Sequence, residues 1–296
     1  MKHSNQRWCL LWTVGTILLC GLSGCDAVRP PASLSHEDLD AALWMRTSAE
    51  YQVFARVAYQ QASLALTKAL QDPLWSALPE QASRLLANSA DTHSTLPPAV
   101  IVDVDETILD NTNYQVRQIE QGTQHDPAEW DAWVSKSEAT LVPGADEFLK
   151  SCRDLGITVF FITNRGVEQE RFTRRNLEGF GLIDPQAVDN ILSKNERDTW
   201  TVDKTSRRDY VASRYRVLVV IGDDLNDFLW PGEKASPVER TEAALKLREY
   251  WGQKWFLLPN ANYGGWERAV YQYDDELSRD KKLKIKLQSL RTGPTN

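Results

Sequence analysis

The sequence predicts an α/β protein with a doubly wound parallel sheet, and three observations carry that reading. Short apolar, β-branched runs alternate with longer helical patterns, as in chains whose parallel strands cross over through helices. The strongest run is Val217-Leu218-Val219-Val220-Ile221. Clusters of polar residues directly follow the apolar runs, and open α/β sheets bind their ligands outside the carboxyl ends of their strands.

Residues 1–24 are read as a leader, not as fold. Lys2 and Arg7 form a short basic region and residues 8–22 an apolar one, too short for a confident membrane span. Leu22-Ser23-Gly24-Cys25 resembles the bacterial lipoprotein lipobox. That resemblance implies that Cys25 is lipidated and becomes the first residue of the mature chain, anchored in a bacterial cell envelope and facing the periplasm or the cell surface. Residues 25–34 read as a Pro-containing tether.

Residues 35–98 form an N-terminal helical segment. Ser35 with Asp38 resembles a capping box, and a helix is expected from there to about Leu70, stopped by Asp72-Pro73. A second helix is expected over 79–88. The core then occupies 99–278. Strands are predicted over 99–102, 157–162, 190–192, 217–221 and 255–258. Helices are predicted over 146–155, 168–179, 204–214 and 239–251, the first of them ended by Gly156. Residues 115–143 interrupt this rhythm, and Trp130 and Trp133 within them need burial, which suggests a small cap inserted after the first strand. Residues 279–296 are basic and polar and are expected to fray.

Without residues 1–24 the chain carries 32 Lys and Arg against 41 Asp and Glu, a formal −9, which argues against a nucleic-acid polymer as partner. Of the four cysteines only Cys152 remains after Cys9, Cys20 and Cys25, and Phe148, Leu149 and Leu155 around it suggest a packed thiol.

The chemistry gathers in four clusters. Asp103 and Asp105 follow the first strand, Thr163-Asn164-Arg165 the second, and Gly222-Asp223-Asp224-Leu225-Asn226-Asp227 the strongest; Lys204 opens a helix. Paired buried carboxylates repel each other, so Asp103 and Asp105 suggest a cation or a shared proton. Carboxylates, a hydroxyl and a lysine converging on one crevice suit phosphoryl transfer.

These residues resemble the haloacid dehalogenase (HAD) superfamily, and within it the class C acid phosphatases, which include bacterial lipoprotein 5′-nucleotidases. Ile101-Val102-Asp103-Val104-Asp105-Glu106-Thr107-Ile108-Leu109-Asp110-Asn111-Thr112 is similar to the first family signature and Val220-Ile221-Gly222-Asp223-Asp224-Leu225-Asn226-Asp227 to the second. Leu43-Trp44-Met45 with Thr47-Ser48-Ala49-Glu50-Tyr51, and Leu258-Pro259-Asn260-Ala261-Asn262-Tyr263-Gly264-Gly265-Trp266, resemble its N-terminal helix and C-terminal segment. The resemblance implies that Asp103 attacks phosphorus and that Asp105 transfers protons. It implies Mg²⁺ on the side chains of Asp103 and Asp223 and the carbonyl of Asp105, with Asp227 acting through water. It implies phosphate held by Thr163, the backbone N–H at Asn164, and Lys204.

Other readings stay open at this stage. Lys194 also follows an apolar run and rivals Lys204, although the family pattern favours Lys204. Asp224 reads as a solvated loop carboxylate and Glu106 as structural; Asp110 and Asn111 are either turn formers or site supports. Tyr263 is the main candidate for stacking on a nucleobase, and Tyr114, Trp130 and Trp133 are lesser ones. The expected partner is a small phosphomonoester; the alternatives are a nutrient- or haem-binding lipoprotein or a phosphotransferase.

Overall fold

In the computed structural model, residues 36–87, 96–183 and 189–293 are described. Ser35 and Cys25 therefore lie outside the described residues. The chain enters through α1 (Leu39–Thr47) and α2 (Ala49–Gln71), where one continuous helix was expected. The break falls at Ser48, whose backbone is extended and whose hydroxyl accepts from the Tyr51 N–H to cap α2. Asp72 closes α2 as expected, and α3 (Pro79–Ala87) follows.

Strand β1 (Pro98–Val102) is central. After it come β2 (Leu109–Asp110), α4 (Thr112–Gln121), α5 (Pro127–Lys136) and β3 (Thr140–Leu141), then α6 (Ala145–Asp154) and β4 (Thr158–Gly166). The chain continues through α7 (Glu170–Gly179), β5 (Ile191–Lys194), α8 (Thr205–Ala212), β6 (Arg216–Gly222), α9 (Pro237–Lys246) and β7 (Trp255–Leu257). It ends in α10 (Gly265–Val270) and α11 (Arg279–Thr292), so the segment expected to fray is helical. The two helices α4 and α5 occupy the interruption after β1, and the antiparallel β2–β3 pair closes its base.

The sheet order is β5-β4-β1-β6-β7, with every pairing parallel. Connections run outward from β1 through β4 to β5, then cross back to β6 and β7. The order therefore reverses between β1 and β6, which makes their carboxyl ends the binding crevice. Along β1, Val100 and Val102 face one core, and Ala99 and Ile101 face the other, as the two-residue period requires. The first core packs the alanine-rich face of α2 (Ala55, Ala62, Ala65, Ala69) and Phe148, Leu149 and Cys152 of α6 against the sheet. Small side chains on α2 let it approach closely, and the buried Cys152 is a packing thiol. The second core joins Trp200, Val211, Phe228 and Trp255. Beyond the reach of β7, Ala77 donates to the Val217 carbonyl and Trp75 Nε1 to the Leu218 carbonyl, so the chain before α3 covers the open edge of β6.

Candidate active site

The C-terminal ends of β1 and β6 bring Asp103 and Asp223 together. The Asp103 N–H still donates to the Ile221 carbonyl at 3.0 Å, which locks the two strand ends in register. Gly222 then lets the chain turn: a Cβ there would lie 2.3 Å from Asp227 Oδ2. That oxygen accepts from the N–H groups of Asp223 (3.1 Å) and Asp224 (3.0 Å), so Asp227 folds back over its own turn. Carboxylate oxygens of Asp103, Asp223 and Asp227 lie within 4.8 Å of one another. From the start of α8, Lys204 Nζ donates to Asp103 Oδ1 and, at 2.7 Å, to Asp227 Oδ1. Lys194, at the end of β5, makes no ion pair among the described residues.

Electrostatics mark this cluster as unusual. Burial pushes the Asp103 carboxyl up to about 7; Lys204 opposes the shift, and Asp227 and Asp105 add to it. Burial, reinforced by Asp103 and Asp227, holds Asp223 well above the ordinary carboxylate range despite a 2.7 Å hydrogen bond from Asn260. Burial disfavours the Lys204 charge, but Asp103 and Asp227 outweigh it and raise its proton affinity.

Asp105 occupies different ground. Arg165 donates to it from Nη2 (2.7 Å) and Nε (3.0 and 3.2 Å), and Asn111 Nδ2 donates at 2.9 Å. Arg165 Nη1 rests on Thr173 Oγ1, and its guanidinium lies 5.6 Å from the centre of the Trp130 ring. Asn111 in turn accepts from Trp133 Nε1 at 2.9 Å. Asn111 is therefore a support of the site, whereas Asp110 is a turn former that accepts from the Thr112 N–H.

The phosphate candidates divide. Thr163 is fully buried at the end of β4, and its Oγ1 accepts from the Arg165 N–H at 3.0 Å, leaving its own hydroxyl proton to donate. The Asn164 side chain turns away: it donates to the Val202 carbonyl and accepts from Arg207, so only its backbone N–H remains for an anion. Arg207, fully buried, also donates to the carbonyls of Thr163 and Thr201 and fixes the loop from beneath.

The remaining sequence expectations are corrected in part. Asp224 is not a solvated carboxylate. It caps the turn at Asn226, pairs with Arg240 at 3.3 Å and accepts from the Gly265 N–H, tying β6 to the C-terminal segment. Glu106 is structural as expected: fully buried at φ +55°, it accepts from the Asn111 N–H and the Tyr263 hydroxyl. Burial and Asp105 push its carboxyl up to about 8, against those two hydrogen bonds. Tyr263 is half-buried, with its hydroxyl donating to Glu106. Tyr114 is 4% exposed and sits edge-on between Trp130 and His125, so the structure withdraws it from base stacking. Trp133 is likewise buried.

Arg165, Asn260 and Arg207 received no site role from the sequence, and Asn111 was open between turn and support. Arg165 had a usable signal: it lies two residues after Thr163 on one strand, and that spacing puts both side chains on one face.

A family model for the HAD superfamily, subfamily IIIB (acid phosphatase), matches residues 39–266. The chain belongs to the HAD superfamily, subfamily IIIB, the acid phosphatases. The class C acid phosphatase from Bacillus anthracis is 30% identical over 86% of this chain and 97% of that one, with a TM-score of 0.72, and the same figures hold for its structure with tungstate bound. Acid phosphatase 1 of Solanum lycopersicum is 29% identical over 130 residues, and the stem 31 kDa glycoprotein of Glycine max is 25% identical over 138. Each of these matches covers 44% of this chain and 51% of the relative, so the chain spans about half the length of the curated relatives it matches. In this subfamily IIIB chain the matched region contains every residue of the carboxylate cluster.

Proposed function

We propose that this protein is a metal-dependent phosphomonoesterase acting through an aspartyl-phosphate on Asp103, with 5′-nucleotides or related phosphomonoesters as substrates. The observation that carries it is the buried cluster of Asp103, Asp223 and Asp227 with Lys204 at the switch point of the sheet. Tungstate, bound in the Bacillus anthracis relative, is a tetrahedral oxyanion like phosphate, which supports the substrate class.

The donor set fits a hard divalent cation. When all are ionised, Asp103, Asp105, Asp223 and Asp227 face two cations, Lys204 and Arg165, which leaves an excess of two negative charges in a largely buried, oxygen-only site. Mg²⁺ would be held by the side chains of Asp103 and Asp223 and the Asp105 carbonyl, with Asp227 acting through water. Bound there, it would neutralise charge on the phosphoryl oxygens and on Asp103.

In the first step an Asp103 carboxylate oxygen attacks phosphorus, and the bond to the leaving oxygen breaks. Asp105 gives that oxygen its proton. In the second step Asp105 takes a proton from water, which attacks the aspartyl-phosphate and frees Asp103 and inorganic phosphate. Thr163 Oγ1 and the Asn164 N–H hold phosphoryl oxygens, and Lys204 offsets their charge. Arg165 and Asn111 fix the plane of the Asp105 carboxyl. Tyr263, half-buried beside Glu106, is the aromatic side chain proposed to stack on a base.

The envelope location is part of the same proposal and rests on the lipobox at Cys25. Among the described residues, no helix is long and apolar enough to cross a membrane. Phosphate esters cross membranes poorly because ions are costly in hydrocarbon, so hydrolysis outside would release uptake-competent products. The test is phosphate release from 5′-mononucleotides, nicotinamide mononucleotide and sugar phosphates, with Mg²⁺ and with chelator. Mg²⁺-dependent turnover is expected; chelator-insensitive turnover would sink the mechanism.

A further inference from the structure

We propose that α11 is a docking surface for an anionic phospholipid bilayer, acting beside the acyl anchor expected at Cys25. This goes beyond the phosphatase reading and shares with it only the lipid anchor.

The helix concentrates charge of one sign on a chain of the opposite sign. It carries Arg279, Lys281, Lys282, Lys284, Lys286 and Arg291 against a single acid, Asp280, and none of its residues is buried. Two of the cations fix it to the body: Arg279 pairs with Glu37 and Lys286 with Glu267. Lys281, Lys284 and Arg291 are exposed, and the described residues hold no carboxylate paired with them. Their spacings of three and seven put them on one helix face, which also carries the exposed Asp280. Leu287, 50% exposed, lies at the edge of that face. A net-cationic face edged by an exposed leucine on a fixed helix suits the headgroup region of an anionic bilayer.

The position of the helix supplies the second argument. Glu37 joins Arg279 at the start of α11 and also accepts from Gln124, in the loop between α4 and α5. His36 Nε2 bonds the Thr123 carbonyl of the same loop at 2.6 Å. The described chain therefore begins against the first turn of α11. Cys25 lies eleven residues before His36, a reach of at most about 40 Å. An acyl chain at Cys25 would hold the first turn of α11 within about that distance of the bilayer. The helix adds at most about 20 Å to its last cation, so the exposed cations stay at high effective concentration. The formal −9 of the chain from residue 25 onward disfavours a nucleic acid as the occupant.

The test uses the chain from residue 26, which contains every described element and lacks the anchor. It is sedimented with vesicles of phosphatidylcholine alone or of phosphatidylcholine with phosphatidylglycerol. Binding is expected only to the anionic vesicles, is expected to fall on adding salt, and should weaken at least about tenfold in K281E/K284E/R291E. An unchanged far-UV spectrum and melting midpoint show that this variant is folded, independently of any turnover. Equal binding to both vesicle types, no binding to either, or undiminished binding by the variant would overturn the proposal. So would binding to a DNA duplex without binding to vesicles. Absence of acylation at Cys25, read by mass spectrometry of the full chain, would overturn the proposal that α11 acts beside an anchor.

Discussion

Asp103 and Asp105 stand one residue apart in the chain and live in opposite surroundings. Asp103 is 7% exposed and faces Lys204, two further carboxylates and the space a cation would fill. Asp105 is held from the cap side by the Arg165 fork and by Asn111, itself tied to Trp133. Lysine is a compact point charge on a flexible stem, and arginine is a rigid planar donor. Under the proposed mechanism the first would neutralise the group that bonds to phosphorus, and the second would orient the group that passes protons. One strand end thus places two carboxylates in separate surroundings, because each is met by a different element: α8 for Asp103, the end of β4 for Asp105.

The sharpest way to break this contrast is Asp103→Asn. Phosphate release is expected to fall by roughly 10⁴-fold or more, since the amide of Asn cannot replace the attacking carboxylate oxygen. Steady-state turnover of an aryl phosphate measures it, and retained activity would reassign the nucleophile.

Lys204→Ala removes the charge shared by Asp103 and Asp227. In chelator, stability should fall by about 3 kcal/mol, the cost of orphaning a buried charge, and Mg²⁺ should restore part of it. The pH dependence sharpens the point. The Asp103 carboxyl at about 7 lies above its unfolded value, so the stability linked to it is present below about pH 4. It is lost as pH rises through 7. Thermal melts of the chelated protein at pH 5 and pH 8 should therefore differ, with the higher midpoint at pH 5. The gap should shrink in Asp103→Asn, and an equal gap in both proteins would refute the assignment.

Arg165→Lys tests the other carboxylate. The charge survives and the fork does not, so kcat should drop roughly 10–100-fold with KM nearly unchanged. A loss confined to KM would instead make Arg165 a substrate ligand. The smallest effect is expected at Tyr263→Ala, which should raise KM for a 5′-nucleotide about tenfold while leaving glycerol phosphate unaffected. Equal changes for both substrates would mean that Tyr263 serves Glu106 and not a base.

Local patterns made much of this molecule readable. All five strands of the parallel sheet lie where the apolar runs placed them, because a buried strand must be apolar along its length. Asp72-Pro73 ended α2, and Gly156, at φ +68°, follows α6, since both effects are local. The break at Ser48 was missed because the apolar positions on either side of it fit one helical period. α11 was missed because polar composition reports exposure, whereas its helix is held by Arg279–Glu37 and Lys286–Glu267 across long sequence separations. Asp224 looked solvated because its partners, Arg240 and Gly265, lie 16 and 41 residues away.

By itself the sequence determined the strand runs, the residue types that end them and hence the class of chemistry, because those depend on neighbours within a few residues. Tertiary structure alone decided which cation serves which carboxylate, that Lys204 and not Lys194 meets Asp103, and that Tyr114 is packed away while Tyr263 bonds Glu106. Those outcomes depend on which elements the crossover at β1 and β6 brings side by side, and charge pairing and burial act through space, not along the chain.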